Sequence, residues 1–354
     1  MMPEMMPETI PEIISRLEQR MDLKIRDVDF ILNEMLSGRL PDSIIAEFLS
    51  NLADKGETDD ELLWMLNKMQ EFAVSLSLDG MDNAIDMCGT GGDQLCTFNI
   101  STAASFVAAA AGATVAKHGN RSSSGVSGSA DVFEYFGYDL EQKSSDILGL
   151  LQRHGIAFMF APHFHHSMRH VSAARRQLSR RTAFNLLGPL ANPAGVKRQL
   201  VGVSSIEFLE RIPRILGNRG AQNVMAVCSN DGMDEFSTSA TNRVCHLQNH
   251  DTKTYHINAK DVGLHESKLQ DIRVNSRRDA MDAFVGVLNG TAHRAMIETT
   301  ALNASGGLVV GGIAKDMAEG TCMALDTINN GKAFGLLKRF VADTGDLATL
   351  KGMT

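Results

Sequence analysis

Three stretches of the chain carry residue types that could do chemistry together. The first, "DMCGTGGDQLCTFNIST" (Asp86 to Thr102), sets three glycines among four positions just ahead of a run of small residues with helical texture. Glycine admits positive φ and lets a ligand reach backbone amides with no Cβ in the way. A strand, a glycine turn and a helix start gather unpaired N–H groups at the positive end of a helix dipole, which makes an anion site. The spacing is not a dinucleotide fingerprint, which would need glycine at Gln94, nor a P-loop, which would need Gly-Lys-Ser/Thr. Taken alone, the loop reads equally as a tight turn that binds nothing.

The second stretch, "KHGNRSSSGVSGSAD" (Lys117 to Asp131), adds a lysine, an arginine and a series of serine and asparagine donors. A lysine offers a phosphate a point charge, while hydroxyls and amides offer directed hydrogen bonds. The third, "NDGMDEFS", places Asp234 beside Glu235. Hard carboxylate oxygens suit Mg²⁺, which usually binds through one or two carboxylates plus substrate phosphates. Alone, this is an acidic surface turn. Beside two phosphate-type loops it points to a magnesium-held diphosphate.

Other candidates offer less. The cluster "HFHHSMRH" (His163, His165, His166, His170) spaces His166 and His170 at i, i+4 but has neither the glutamate of HExxH nor a cysteine partner, so it reads as pocket wall or surface. The five cysteines have no CxxC or zinc-like spacing, as expected of free thiols in a reducing compartment. A formal charge of −8 opposes general affinity for nucleic acid or acidic membranes. The acidic, proline-interrupted start lacks the pattern of a signal peptide. The longest apolar run, Thr102 to Ala116, falls short of the roughly 20 residues that span a bilayer. A cytoplasmic location is expected.

These stretches need elements to hold them. Val28, Ile31, Leu32, Met35 and Leu36 share one helical face, Ile45, Phe48, Leu49 and Leu52 another, with Pro41 in a first turn. Thr58 and Glu61 have capping-box spacing ahead of Leu62, Met65, Leu66 and Met69. The texture then changes to short apolar runs, "AIDMC", "ATVAK", "IAFMF", "QLVGV" and "NVMAVC", alternating with helical segments. That alternation predicts an α/β fold with a central, largely parallel sheet covered by helices. Ligands of such sheets sit at the carboxyl ends of the strands, where the three motifs fall. Asn99 and Ser129 are the expected N-caps of the helices after the two loops, and Gly112 the expected stop of the first.

The segments "CGTGGD", "TFNIST", "KHGNRS", "SGSAD", "FNLLGPLANPAG" and "GMDEFS", in that order, resemble the signature segments of the anthranilate phosphoribosyltransferase family, and the likeness extends to "LNASGGLVVGGIAKDMAEG". The resemblance implies a helical N-terminal domain over 1–80, joined by a later helical segment near 170–195, and an α/β domain over 81–354. It implies a homodimer that converts anthranilate and phosphoribosyl diphosphate into phosphoribosyl anthranilate in tryptophan biosynthesis, with two Mg²⁺ ions per subunit. The donor would meet Gly89, Gly92, Asp93, Thr97, Asn99, Ile100, Ser101, Thr102, Lys117, His118, Gly119, Asn120, Arg121, Ser122, Ser123, Ser124, Gly125 and Ser129. Magnesium would meet Ser101, Asp234 and Glu235, and anthranilate would meet Gly89, Asn120 and Arg175. A guanidinium fork pairs well with an aromatic carboxylate.

The chain departs from the family pattern at Gln94, where glycine is usual, and at Gly125-Val126, which replaces Ser-Lys or Ser-Arg. "LSRRT" and His166-Ser167 are further departures. Gln94 is expected to stiffen or reshape its loop. Transfer to an arylamine demands no strong general base, so none is nominated, although His118 is placed to be tested as a proton carrier. Three rival readings are a phosphoribosyltransferase with another aromatic acceptor, a pyrimidine nucleoside phosphorylase, and a non-catalytic nucleic-acid-binding relative of the fold.

Overall fold

The structure, a computed structural model, describes residues 9–122, 125–178 and 180–353. In chain order its elements begin with α1 (Ile10–Glu18), α2 (Ile25–Leu36), α3 (Asp42–Lys55) and α4 (Asp59–Glu71). Then follow β1 (Ile85–Gly89), α5 (Ile100–Ala110), β2 (Val115–Gly119), α6 (Ser129–Tyr135), α7 (Ser144–His154), β3 (Ile156–Phe160) and the single turn α8 (Ala161–Phe164). After α9 (Arg169–Leu178) and α10 (Ala183–Leu190) come β4 (Arg198–Gly202), α11 (Arg211–Asn218), β5 (Asn223–Ser229), β6 (Asn242–Gln248) and β7 (Asp251–Ile257). The chain closes with α12 (Arg277–Leu288), α13 (Arg294–Val310), α14 (Met317–Asn329), α15 (Lys332–Thr344) and α16 (Leu347–Lys351). By its contacts the chain divides into two compact units, one of Met1–Ser75 with Phe164–Pro193, the other of Leu76–His163 with Ala194–Thr354.

In the helical unit, the apolar stripes of α2, α3 and α4 are buried as their periodicity dictates. The capping box of α4 forms: Glu61 N–H donates to Thr58 Oγ1 at 3.1 Å and Thr58 N–H to Glu61 Oε2 at 2.8 Å. Glu61 also accepts from Leu23 N–H at 2.9 Å and Lys55 Nζ at 2.8 Å, so one buried carboxylate ties three segments together. Pro41 is the N-cap of α3 rather than a residue of its first turn, because its extended ψ of 152° lies outside the helix.

The second unit is built on a seven-stranded sheet of order β3-β2-β1-β4-β5-β6-β7. β1 to β5 pair in parallel, and β6 and β7 add an antiparallel edge. Strands of a parallel sheet are covered on both faces and therefore read as continuous apolar runs, as β5, buried throughout, does. The β6–β7 hairpin gave no such run, since most of β7 is exposed, and its turn sits at Asn249 and His250, both at positive φ. Helix α5 is almost entirely buried, and its alanines let it pack closely against α13, itself rich in small residues. Two expected caps differ. Gly128, not Ser129, precedes α6, where Asp131 Oδ2 accepts its N–H at 2.8 Å. Asn99 holds the N-cap position of α5 but gives its side-chain amide to Ser127 O at 2.9 Å.

At the end of β4, Gly202 lets the backbone of Asp234 lie directly on the strand; a Cβ there would strike the Asp234 carbonyl, which is backbone and cannot swing away. Gly202→Ala is therefore expected to lose about 3 kcal/mol of stability, the upper range for overpacking. Gly335→Ala in α15, where a Cβ would meet only the tip of Arg339 at 3.5 Å, is expected to gain up to about 1 kcal/mol by helix propensity. Equilibrium denaturation of the two variants compares them directly; equal stabilities would refute the close approach.

Candidate functional site

The strand order places a crevice between β1 and β4, since the chain winds outward from β1 through β2 and β3 and then returns to its other side. Such a switch point, at the carboxyl ends of the strands, is where open α/β sheets hold ligands. Gly89 and Gly202 face each other in register there, and Asp234 lies across both: its carboxylate fills the place of a Cβ at Gly89. Gly91 N–H donates to Asp234 Oδ2 at 2.6 Å. The next residue, Glu235, accepts the N–H of Ser101 in the first turn of α5 at 2.9 Å. A carboxylate thus already sits at the positive end of the helix that the sequence offered to an anion.

Positive charge is scarce around these two carboxyls. Burial, joined by the charge of Asp93, pushes Asp234 up to about 7. Burial, then Asp234 and Asp93, raises Glu235 well above the usual range. Lys117 is within reach, but its side chain is buried, with Nζ donating to Met87 O at 2.6 Å and 3.5 Å from Ser101 Oγ. Burial lowers its pKa while Asp86 favours its charge. It is an internal strut, not the exposed point charge its place in the second loop suggested. Asn99 Oδ1 is buried with no partner among the described residues. Adjacent hard-oxygen donors that repel each other, with the Ser101 hydroxyl near, fit Mg²⁺. Among the described residues no three His, Cys, Asp or Glu side chains gather to cage a metal. A magnesium ion completed by substrate phosphates does not need a third.

The first loop is shaped at both ends. Thr90 N–H donates to Gly202 O at 2.9 Å, Gly91 and Gly92 have φ of 70° and 81°, and Asp93 Oδ1 accepts Leu95 N–H at 3.2 Å. Gln94 follows at φ 57°, the left-handed region that costs a non-glycine residue of the order of 1 kcal/mol. Its backbone thus keeps the conformation for which glycine is suited. Beyond it the loop is pinned: Thr97 bridges Arg273, Val274 N–H donates to Cys96 O at 2.9 Å, and Arg273 Nε to Leu95 O at 3.0 Å. Ile100 and Thr102 are buried in α5, so only their backbones could serve a ligand.

The second loop spends several of its polar groups internally. Arg121 forms a two-pronged pair with Glu134 at 2.5 and 2.7 Å and lies over the Phe160 ring. Asn120 Oδ1 accepts Arg121 N–H at 2.7 Å, and its carbonyl accepts Ser129 Oγ and Ala130 N–H, each at 3.2 Å. Gly125 N–H donates to Ser122 Oγ at 2.7 Å, and Ser129 Oγ fills the place of a Cβ at Gly119. His118 lies on β2 with its N–H donating to Asp86 Oδ1 at 3.1 Å. Ser123 and Ser124 lie outside the described residues. The loop is a pre-folded cradle rather than a row of free donors.

In the helical unit, Arg175 stands apart from its arginine neighbours. Arg180 is paired with Asp54 at 2.8 Å, and Arg169 and Arg176 are exposed. Arg175 lies over the Phe184 ring, 3.5 Å from Asn185 Oδ1, with burial lowering its pKa and no acidic side chain paired with it among the described residues. A desolvated, unneutralised guanidinium is suited to a ligand carboxylate. In the same unit His165 is buried on Ala191 O at 2.8 Å, and the His170 ring lies against Gly38. The sequence reading passed over three further residues: Asp86 and Arg273, which shape the two loops, and Asn303 of α13, which holds Phe236 beside the carboxylates. Nothing local marks a residue whose partner is 67 positions away.

Comparison with known proteins gives the chain's family. Residues 81–334 match the family described as "Glycosyl transferase family, a/b domain", and residues 11–73 its "helical bundle domain". An anthranilate phosphoribosyltransferase of Nitrosopumilus maritimus is 60% identical, covering 94% of this chain and 96% of the relative; one of Cenarchaeum symbiosum is 49% identical over 93% and 96%. Among solved structures, the Thermus thermophilus enzyme is similar with a TM-score of 0.87 at 32% identity, over 93% of this chain and 98% of the other. The Saccharomyces cerevisiae enzyme in complex with PRPP and Mg gives 0.85 at 25%, over 94% and 97%. By sequence along nearly its whole length and by the architecture of both units, this chain belongs to the anthranilate phosphoribosyltransferase family.

Proposed function

We infer that this chain transfers the phosphoribosyl group of 5-phosphoribosyl 1-diphosphate to the amine of anthranilate, giving N-(5-phosphoribosyl)anthranilate and diphosphate in tryptophan biosynthesis. The observation that carries the reading is the adjacent pair of buried Asp234 and half-buried Glu235, short of positive charge and set beside the glycine loop at the switch point. The yeast relative's complex with PRPP and Mg supports both the donor and the metal.

Asp234, Glu235 and the Ser101 hydroxyl would hold magnesium, which when bound offsets negative charge on the departing diphosphate. Amides of the loop around Gly89, Gly92 and Asp93 and the cradle from Lys117 to Ser129 bind and orient the donor. As the bond from ribose to diphosphate lengthens, the ribosyl carbon gains oxocarbenium character and the acceptor amine attacks it. The protein's share is fixed dipoles and proximity. The arylamine is largely unprotonated at neutral pH and, once bonded to the ribosyl carbon, is acidic enough to lose its extra proton to water or the departing diphosphate, so no strong base is demanded; His118 is the group to test as a proton carrier. Arg175 takes the anthranilate carboxylate, together with Gly89 and Asn120.

Two magnesium ions per subunit, a homodimer and a cytoplasmic location complete the reading. All five cysteines are free thiols, which supports a reducing compartment, and no described helix is long and apolar enough to cross a membrane. In this reading residues 1–80, with the segment near 170–195, are a helical domain and 81–354 the α/β domain that binds the donor.

Anthranilate fluorescence is expected to fall only when phosphoribosyl diphosphate and Mg²⁺ are both present. No loss with folded protein, or equal loss with EDTA, would refute the assignment. Turnover of another aromatic amine in its place would show a changed acceptor. Arg175→Ala is expected to raise the anthranilate KM tenfold or more, about the worth of a charge-assisted hydrogen bond, with the donor KM little changed. Steady-state kinetics against the exposed neighbour variant Arg176→Ala checks this; the reverse pattern would move the acceptor site elsewhere.

A further inference from the structure

Asp234 and Glu235 are held by brackets on both sides, in a turn that β5 ties at Met233 and Asn242 of β6 ties at Ser237. Behind them, Asp231 closes the turn on itself: Oδ1 accepts Met233 N–H at 3.2 Å, and Oδ2 accepts the hydroxyls of Ser237 and Ser239 at 2.6 Å each. Ahead of them, Asn303 reaches out from α13. Its Oδ1 accepts Phe236 N–H at 2.9 Å and its Nδ2 donates to Phe236 O at 2.8 Å, so one side-chain amide pairs with both backbone groups of the residue after Glu235, as a neighbouring strand would. Nδ2 also donates to Thr299 O at 2.9 Å, which fixes the amide's orientation. The side chain is 3% exposed, and Gly306, one turn along α13, leaves the slot in which the Phe236 ring lies.

This link carries a positional consequence. Glu235 must meet the first turn of α5, where Ser101 is also the expected hydroxyl ligand, and α5 packs directly on α13. The peptide between Glu235 and Phe236 is pinned to α13 by Asn303, so the spacing of Glu235 from Ser101 is set through the α5–α13 contact. We propose that Asn303 is a positioning residue for the magnesium–diphosphate site: it touches neither metal nor substrate and fixes where the carboxylates of Asp234 and Glu235 stand relative to α5. Partners that orient metal ligands from behind typically change metal affinity by about ten- to a hundredfold when removed. The inference rests on the magnesium reading given above.

The test is Mn²⁺ binding in the presence of phosphoribosyl diphosphate, read from the paramagnetic signal of free Mn²⁺, for the full chain and three variants. Asn303→Ala and the equal-volume Asn303→Asp, which turns an oxygen toward Phe236 O and Thr299 O, are expected to weaken Mn²⁺ by about ten- to a hundredfold. Their kcat should return at saturating Mg²⁺, with the anthranilate KM little changed. Asn223→Ala removes another buried asparagine that bonds α13, through Val309 O at 3.4 Å, at the start of β5 while the carboxylates follow its end; it is expected to bind Mn²⁺ as the unaltered chain does. Unchanged Mn²⁺ affinity in the Asn303 variants, or equal weakening in Asn223→Ala, would overturn the positioning role. If Asn303→Ala does not fold, Asn303→Asp alone decides. Failure of the unaltered chain to bind Mn²⁺ would overturn the magnesium reading itself, and this inference with it.

Discussion

Two adjacent carboxylates, Asp234 and Glu235, are pressed into the carboxyl end of a parallel sheet, where the charge of Asp93 adds to their repulsion and Lys117 offsets a lesser part of it at Glu235. Leaving such groups charged in a buried place is costly, and the protein responds by favouring their protonated forms. The surrounding features serve this crowding. Gly89 and Gly202 give up side chains so that Asp234 can lie on β1 and β4, and α5 turns its first N–H groups toward Glu235. Lys117 Nζ donates to a backbone carbonyl, that of Met87. A divalent cation set against these carboxylates would offset that cost and leave positive charge for a diphosphate.

The surrounding loops follow the same logic of commitment before binding. Arg121 is occupied by Glu134, Ser122 and Ser129 by their own loop, and the segment from Leu95 to Thr97 by Arg273 and Val274. Groups fixed in this way lose little freedom when a ligand arrives, which is how a site gains affinity without more contacts. Gln94 sits within this pinned loop at a backbone conformation that glycine would adopt without strain. A side chain at this position leaves the backbone fewer conformations than glycine would have.

Much of this was legible in the sequence, for identifiable reasons. The strands β1 to β5 are covered on both faces and could be read as apolar runs, and Thr58 and Glu61 announced the start of α4 through a purely local bond pattern. The glycine turn and the Asp234–Glu235 pair were visible because the chemistry needs those residue types next to one another. The choice of partner was not visible where it is made across the fold. Arg121 with Glu134, Lys117 turned inward to Met87, and Asn303 on Phe236 are all settled by packing rather than spacing. The hairpin β6–β7 escaped because an exposed edge strand has no apolar signature, and its turn residues, Asn249 and His250, include one uncommon at positive φ. Among several arginines in one stretch, spacing does not single out Arg175; the family resemblance does, and the structure lays it over Phe184 beside exposed neighbours.

Asp234 and Glu235 are proposed to hold a metal against the donor's diphosphate. Crystals grown with phosphoribosyl diphosphate and Mn²⁺, measured at a wavelength where manganese scatters anomalously, test this. An anomalous peak is expected at coordination distance from at least one of these two carboxylates and from the diphosphate oxygens. Diphosphate bound in the glycine loop with both carboxylates free of metal, or with the peak on other residues, would contradict it.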